Sequence, residues 1–117
     1  SKAHVSNSAV IGLGTIVQYG VNISAEVTIG EFVKLNSMCN IMHNSRIGDF
    51  TTIAPNAVIL GNVVVGQYCY IGSNSTVLPN ISICDKVTVG AGAVVTKSLT
   101  NPGVYVGSPA KLVSSTK

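Results

Sequence analysis

Every sixth residue from Val5 to Val95 is aliphatic. The series runs Val5, Ile11, Val17, Ile23, Ile29, Leu35, Ile41, Ile47, Ile53, Ile59, Val65, Ile71, Val77, Ile83, Val89 and Val95. Sixteen consecutive steps land on Ile, Leu or Val, although these types supply only 35 of the 117 residues, so the period is not accidental. Four residues after each comes a second, smaller series that includes Ala9, Thr15, Cys39, Ser45, Thr51, Ala57, Cys69, Ser75, Ala93 and Leu99. Gly directly follows the aliphatic residue at 12, 30, 48 and 66, and again at 72 and 90, in steps of eighteen.

A period of six matches neither the helical 3.6 nor long alternating strands, because Gly, Pro and Asn recur every few residues. Six nested in eighteen predicts a short strand and a bend per hexad, with three hexads closing a triangular coil. Coils then stack about 4.8 Å apart in parallel-sheet register. The aliphatic residue fills the prism core, the small residue sits near a corner, and the chain reads as an all-β parallel β-helix. Sixteen hexads, three to a coil, predict about five coils over residues 1–100 with no insertion. From Asn101 the period fails. Residues 101–117 read as a turn at Asn101-Pro102-Gly103, a short strand at Val104-Tyr105-Val106 and a polar tail from Leu112.

Composition narrows the class. Apolar residues make up 46% and charged residues 9%, against about 25% charged in ordinary soluble domains. No apolar run approaches the roughly 20 residues of a spanning helix, and no signal peptide is visible, so the expectation is a cytoplasmic domain without a membrane span. The net charge of +3 comes from scattered lysines and Arg46; with no basic cluster interleaved with aromatics, nucleic-acid binding is not expected. Three cysteines and no CxxC support neither a disulfide framework nor a zinc knuckle. Cys39 and Cys69 fall on the small inward position, and Cys84 takes the place of a Gly. Phe32, Phe50, Tyr68 and Tyr70 would suit packing between neighbouring prisms.

One segment stands apart, Ile41-Met42-His43-Asn44-Ser45-Arg46. His43 lies two residues past inward Ile41, so it points outward at a corner. Ala25 is one coil below it and Gly61 one coil above, which predicts open space on both sides and a free Gly61 N–H facing a ligand. On spacing alone, a surface histidine and a functional one both stay open.

The runs His-x-x-x-Ile-Gly-Asp-Phe (43–50), Gly-x-x-x-x-Val-Leu-Pro-Asn (72–80) and Val-Gly-x-Pro-Ala-Lys (106–111) carry a resemblance across nearly the whole chain. The chain resembles the left-handed β-helix of the hexapeptide-repeat acetyltransferases. It is most similar to the catalytic domain of bacterial sialic acid O-acetyltransferases and UDP-4-amino-sugar N-acetyltransferases. The resemblance implies the left hand of the coil and a homotrimer with sites between subunits. It implies acetyl transfer from acetyl-CoA to an amine or hydroxyl of a sugar or nucleotide-sugar, with no metal. It makes His43 the general base and the Gly61 N–H an oxyanion donor. Thr52, Ser73 and Ala91 match cofactor-contact positions, and Lys111 would meet a CoA phosphate. Relatives often carry an acidic residue after the histidine, where Asn44 stands, and a second histidine, where Thr52 stands. Glu26, one coil below Asn44, is a candidate substitute for the acidic partner. The sugar-nucleotide-binding domain that precedes the prism in relatives has no match before residue 41. Two other readings stay in play. A γ-type carbonic anhydrase would need three histidines on one zinc, where this chain has only His4 and His43; the other is a non-catalytic trimeric β-helix assembly or binding module.

Overall fold

The computed structural model describes residues 3–115. Each hexad supplies a two-residue strand whose first side chain faces out and whose second faces in. One further extended residue, a two-residue corner and the small inward residue complete the six. Numbered in chain order, the strands build three sheets, parallel throughout except for the last strand. The first holds β1 (His4–Val5), β4 (Asn22–Ile23), β7 (Asn40–Ile41), β10 (Val58–Ile59), β13 (Thr76–Val77) and β16 (Val94–Val95). The second holds β2 (Val10–Ile11), β5 (Thr28–Ile29), β8 (Arg46–Ile47), β11 (Val64–Val65) and β14 (Ser82–Ile83). The third holds β3 (Ile16–Val17), β6 (Lys34–Leu35), β9 (Thr52–Ile53), β12 (Tyr70–Ile71), β15 (Val87–Val89), β17 (Gly103–Val106) and β18 (Lys111–Ser114). The result is the left-handed parallel β-helix that the resemblance implies. No helix among the described residues is long and apolar enough to cross a membrane.

The aliphatic series forms the core: Ile23, Leu35, Ile41, Ile53, Ile59 and Ile71 are fully buried. The small series does a second job, because polar members reach backbone groups of the next coil. Ser45 Oγ donates to Leu60 O at 2.8 Å and accepts from Val63 N at 3.1 Å. Thr51 Oγ1 donates to Gly66 O at 2.7 Å and accepts from Cys69 N at 3.1 Å. Ser75, equally buried, donates its hydroxyl to Gly72 O at 2.6 Å, so each of the three buried hydroxyls has a backbone partner.

At each corner the second residue adopts a left-handed backbone. Eleven such positions from Glu26 to Lys86, six apart, are not glycine. Five are Asn, the side chain that best tolerates this region. Phe32, Phe50 and Tyr68 occupy it at the corner between the second and third sheets, where stacking offsets the strain. Their ring centroids lie 5.6 and 5.0 Å apart, with planes within 10°.

The C-terminal end corrects the sequence reading. Partners up to β16 are eighteen residues apart, as in Val77↔Val95; beyond it they are sixteen apart, as in Ile83↔Leu99 and Val89↔Tyr105. The corner after Val95 is two residues short, so Leu99 stands over Ile83 rather than in the small series. The prism does not stop at Thr100. Leu99 and β17 complete the last coil, giving about six turns rather than five. The expected polar tail instead forms β18, antiparallel to β17. Gly103 permits this crossing: its φ is +145°, and a Cβ there would meet Leu112 Cδ1 at 2.7 Å and the Ser114 carbonyl. Thr116 and Lys117 lie outside the described residues.

Candidate active site

His43 and Asn44 form the corner between the first and second sheets, one coil above Ala25-Glu26 and one below Gly61-Asn62. Backbone bonds lock the column: Asn44 N donates to Ala25 O at 3.1 Å, and Asn62 N to His43 O at 3.0 Å. His43 is exposed, as the repeat predicts. Its surroundings differ from the expectation of open space on both sides. The imidazole leans onto Gly61, where a Cβ would lie 2.6 Å from both Cε1 and Nε2. Gly61 is buried beneath the ring, so the open side is the one toward exposed Ala25. The Gly61 N–H donates to no other group among the described residues.

The other ring nitrogen is tied back. His43 Nδ1 lies 3.2 Å from Asn44 Oδ1. An amide oxygen only accepts, so in the neutral ring a hydrogen bond here puts the hydrogen on Nδ1 and makes Nε2 the acceptor. Glu26 sits in the Asn44 column as expected, but no hydrogen bond or ion pair joins its carboxylate to His43 or Asn44 among the described residues.

The remaining candidate residues lie elsewhere. Ser73 and Ala91 stack on consecutive coils at the corner between the third and first sheets, with Gly92 N donating to Ser73 O at 2.8 Å. Their own N–H groups donate to nothing among the described residues. Thr52 faces outward on β9 in the third sheet, where it pairs with Tyr70, three residues before Ser73 on the next coil. This corner and the His43 corner flank the same first sheet, roughly 15 Å apart across about five extended residues. One prism therefore holds His43, Asn44 and Gly61 together and keeps Thr52, Ser73 and Ala91 apart from them. Lys111 lies at the C-terminal end, where it lines a cavity of about 320 Å³ with Lys97, Leu99, Tyr105, Ala110 and Leu112. Lys97 was not singled out from the sequence; the available signal was its place two residues past inward Val95, the place His43 takes after Ile41.

The aromatic column sits at the corner opposite the first sheet and stacks on itself. Cys39 and Cys69 are buried and Cys84 half-buried. Burial pushes the Cys39 thiol up to about 12 and raises those of Cys69 and Cys84, so none is poised as a nucleophile. No group of three potential metal ligands comes together among the described residues.

Comparison with known proteins agrees with this fold. PerB from Caulobacter crescentus, solved with CoA and GDP-perosamine, is 33% identical over 97% of this chain and 55% of that one, with a TM-score of 0.95. A mutant of perosamine N-acetyltransferase from the same organism, with the same ligands, is 32% identical over 97% and 54%, also at 0.95. The acetyltransferase domain of PglB from Neisseria gonorrhoeae, in complex with acetyl coenzyme A, is 29% identical over 96% and 55%, at 0.94. The chain thus spans about half the length of these relatives. No curated protein matches it by sequence. The sequence profile described as bacterial transferase hexapeptide (six repeats) matches residues 26–61 and 62–97. With more than half of its residues under that profile and the fold to go with it, the chain belongs to the bacterial transferase hexapeptide family.

Proposed function

We propose that the chain transfers an acetyl group from acetyl-CoA to an amine or hydroxyl of a sugar or nucleotide-sugar, with His43 as general base. The observation that carries this reading is the pinned imidazole: Nδ1 lies 3.2 Å from Asn44 Oδ1, and the Cε1–Nε2 edge of the ring rests on Gly61. Such a base takes a proton from the attacking group as that group bonds to the thioester carbonyl. The uncommitted Gly61 N–H is the proposed oxyanion donor. The unused N–H groups of Ser73 and Ala91, with Thr52 on the adjoining third sheet, suit the amide carbonyls of a pantetheine arm, and Lys111 with Lys97 suits the phosphates of CoA. The ligands of the relatives support this choice of donor and acceptor.

The two half-sites on opposite edges of the first sheet support a site shared between copies. Three prisms packed through this sheet around an axis bring the His43 corner of one against the Ser73 corner of the next. Val58, Leu60, Leu78 and Val94 give that sheet a half-buried apolar outer face. Three free thiols suit a reducing cytoplasm.

The test is His43→Ala. Acetyl transfer, followed as release of free thiol, should fall at least 10³-fold with circular dichroism unchanged. Near-full activity in that variant would exclude His43 as the base. Absence of acetyl-CoA binding by calorimetry would favour a non-catalytic assembly module.

A further inference from the structure

We infer that Met38 of one copy sets the acyl-chain length accepted at the His43 corner of the next, closing the donor track just below the thioester so that a two-carbon group fits and longer ones do not. This inference rests on the acetyl-transfer reading and the three-copy packing proposed with it, and it adds the residue that limits the donor. The corner between the third and first sheets changes character along its length. Its two-residue turns, from the C-terminal end down, are Ala91-Gly92, Ser73-Asn74, Pro55-Asn56, Ser37-Met38 and Tyr19-Gly20. Ala91 and Ser73 carry uncommitted N–H groups among the described residues. Pro55 has no N–H, and Ser37 donates its own to Gln18 Oε1 at 3.1 Å. The hydrogen-bonding stretch therefore ends above Pro55, and the turn below it presents Met38, which is 48% exposed. Met38 is held at φ 67° with its N–H bonded to Tyr19 O at 3.0 Å. Its thioether covers Gly20, where a Cβ would collide with Sδ.

In a ring of parallel copies, residues of neighbouring prisms at equal height meet. Each coil rises about 4.8 Å. On that scale His43 stands about 1.3 Å above the level of Met38, and the Gly61 N–H about 6 Å above it. A thioester carbonyl beside Gly61 thus has about 6 Å of track beneath it. One carbon–carbon bond of about 1.5 Å and one van der Waals contact of about 3.8 Å fill nearly all of that length, so an acetyl methyl reaches the Met38 floor. Each further methylene lengthens the chain by about 1.3 Å and must push into the Met38 side chain. Without that side chain the floor drops by one coil, about 4.8 Å, onto Gly20, which is room for roughly three more methylenes. In the transfer itself the acceptor's nitrogen or oxygen bonds to the carbonyl carbon and the C–S bond breaks. The acceptor's proton passes by way of His43 to the CoA thiolate. The carbons below the carbonyl take no part, so the floor reads only their length.

The experiment compares acetyl-CoA, butyryl-CoA and octanoyl-CoA as donors to a panel of amino-sugar nucleotides that includes GDP-perosamine, with calorimetry of the same thioesters alongside. Native protein and Met38→Gly are assayed. Glycine takes φ 67° without strain, so circular dichroism should be unchanged. Native protein should use acetyl-CoA at least 100-fold better than butyryl-CoA in kcat/KM. Met38→Gly should raise butyryl transfer at least 10-fold, keep acetyl transfer within about 3-fold and still refuse octanoyl-CoA. Butyryl-CoA should also bind at least 10-fold more tightly to Met38→Gly than to native protein. A mixing assay tests the sharing between copies. Chains carrying both Met38→Gly and His43→Ala lack the base, and native chains refuse butyryl-CoA. Mixed rings of the two should transfer butyryl, because a native His43 then faces an opened floor. Equal use of acetyl-CoA and butyryl-CoA by native protein, or no gain in Met38→Gly, overturns the length limit. Mixed rings that transfer acetyl but no butyryl overturn the placement of Met38 against the next copy. Acetyl-CoA that binds but is transferred to no acceptor overturns the transfer reading, while the butyryl-CoA affinities still decide whether Met38 is the floor. Failure to bind acetyl-CoA overturns both.

Discussion

Gly61→Ala separates catalysis from stability at one atom. Gly61 is absent from the left-handed positions, so alanine fits its backbone. The new Cβ would stand 2.6 Å from His43 Cε1 and Nε2, whereas unstrained contacts begin near 3.5 Å. The imidazole must therefore retreat by roughly 1 Å, which also stretches the 3.2 Å contact with Asn44 past hydrogen-bonding range. A misplacement of about 1 Å costs on the order of 100-fold in rate, equivalent to about 2.7 kcal/mol of barrier. The ring swings into solvent and leaves no cavity, so folding should gain about 0.4–1 kcal/mol from the stiffer unfolded chain. The assay is kcat/KM by thiol release beside urea denaturation. The expected result is a variant at least as stable as the native protein and about 100-fold slower. In a His43→Ala background the same change should cost nothing further. Full activity in Gly61→Ala would refute the claim that the ring must rest on this residue.

Three further outcomes follow from the core and corners. Thr51→Val keeps the shape but strips the hydroxyl from Gly66 O and Cys69 N, and should cost about 1–3 kcal/mol in urea denaturation. Phe50→Ala removes both ring stacks and should cost about 1–2 kcal/mol, with acetyl transfer unchanged because this corner lies opposite the first sheet; Phe50→Gly should cost less, since it relieves the left-handed backbone. The Cys39 thiol is raised from 9.0 to about 12 in the fold, so above pH 9 the unfolded chain ionises while the native chain stays protonated. Through Cys39 stability should then fall with rising pH between 9 and 12, by about 1.4 kcal/mol per unit at most, and Cys39→Val should lessen the total slope in denaturation curves run at pH 8 and 10, leaving the part due to the raised thiols of Cys69 and Cys84.

The prism was legible because its period is set by packing. Each Ile, Leu or Val of the sixfold series must fill the same slot, and one error in register would expose it. The last coil was not legible for the same reason inverted. Deleting two residues after Val95 leaves Leu99 aliphatic in either register, so nothing in the spacing betrays that it moved over Ile83. Tyr105 stands six residues after Leu99, so the period resumes there in a shifted register, and only the antiparallel β18 follows no period at all. The outward position of His43 could be read from Ile41, but the lean of its ring could not, since side-chain torsions leave no trace in a repeat. The spacing of Phe32, Phe50 and Tyr68 by eighteen did contain their stacking, and the Asn residues at 44, 56, 62, 74 and 80 contained the left-handed corners.

The separation of the His43 corner from the Ser73–Ala91 corner has a consequence for how activity depends on protein concentration. If catalysis needs one corner from each of two copies, every chain is a donor of one half and a recipient of the other. A lone chain has two idle halves, and a pair completes one centre and strands two. Only a closed ring, such as the proposed three, leaves none stranded, so turnover per chain should climb cooperatively with assembly and collapse on dilution. Mixed rings of His43→Ala chains with chains blocked at Ala91 should recover a fraction of native turnover that neither parent shows.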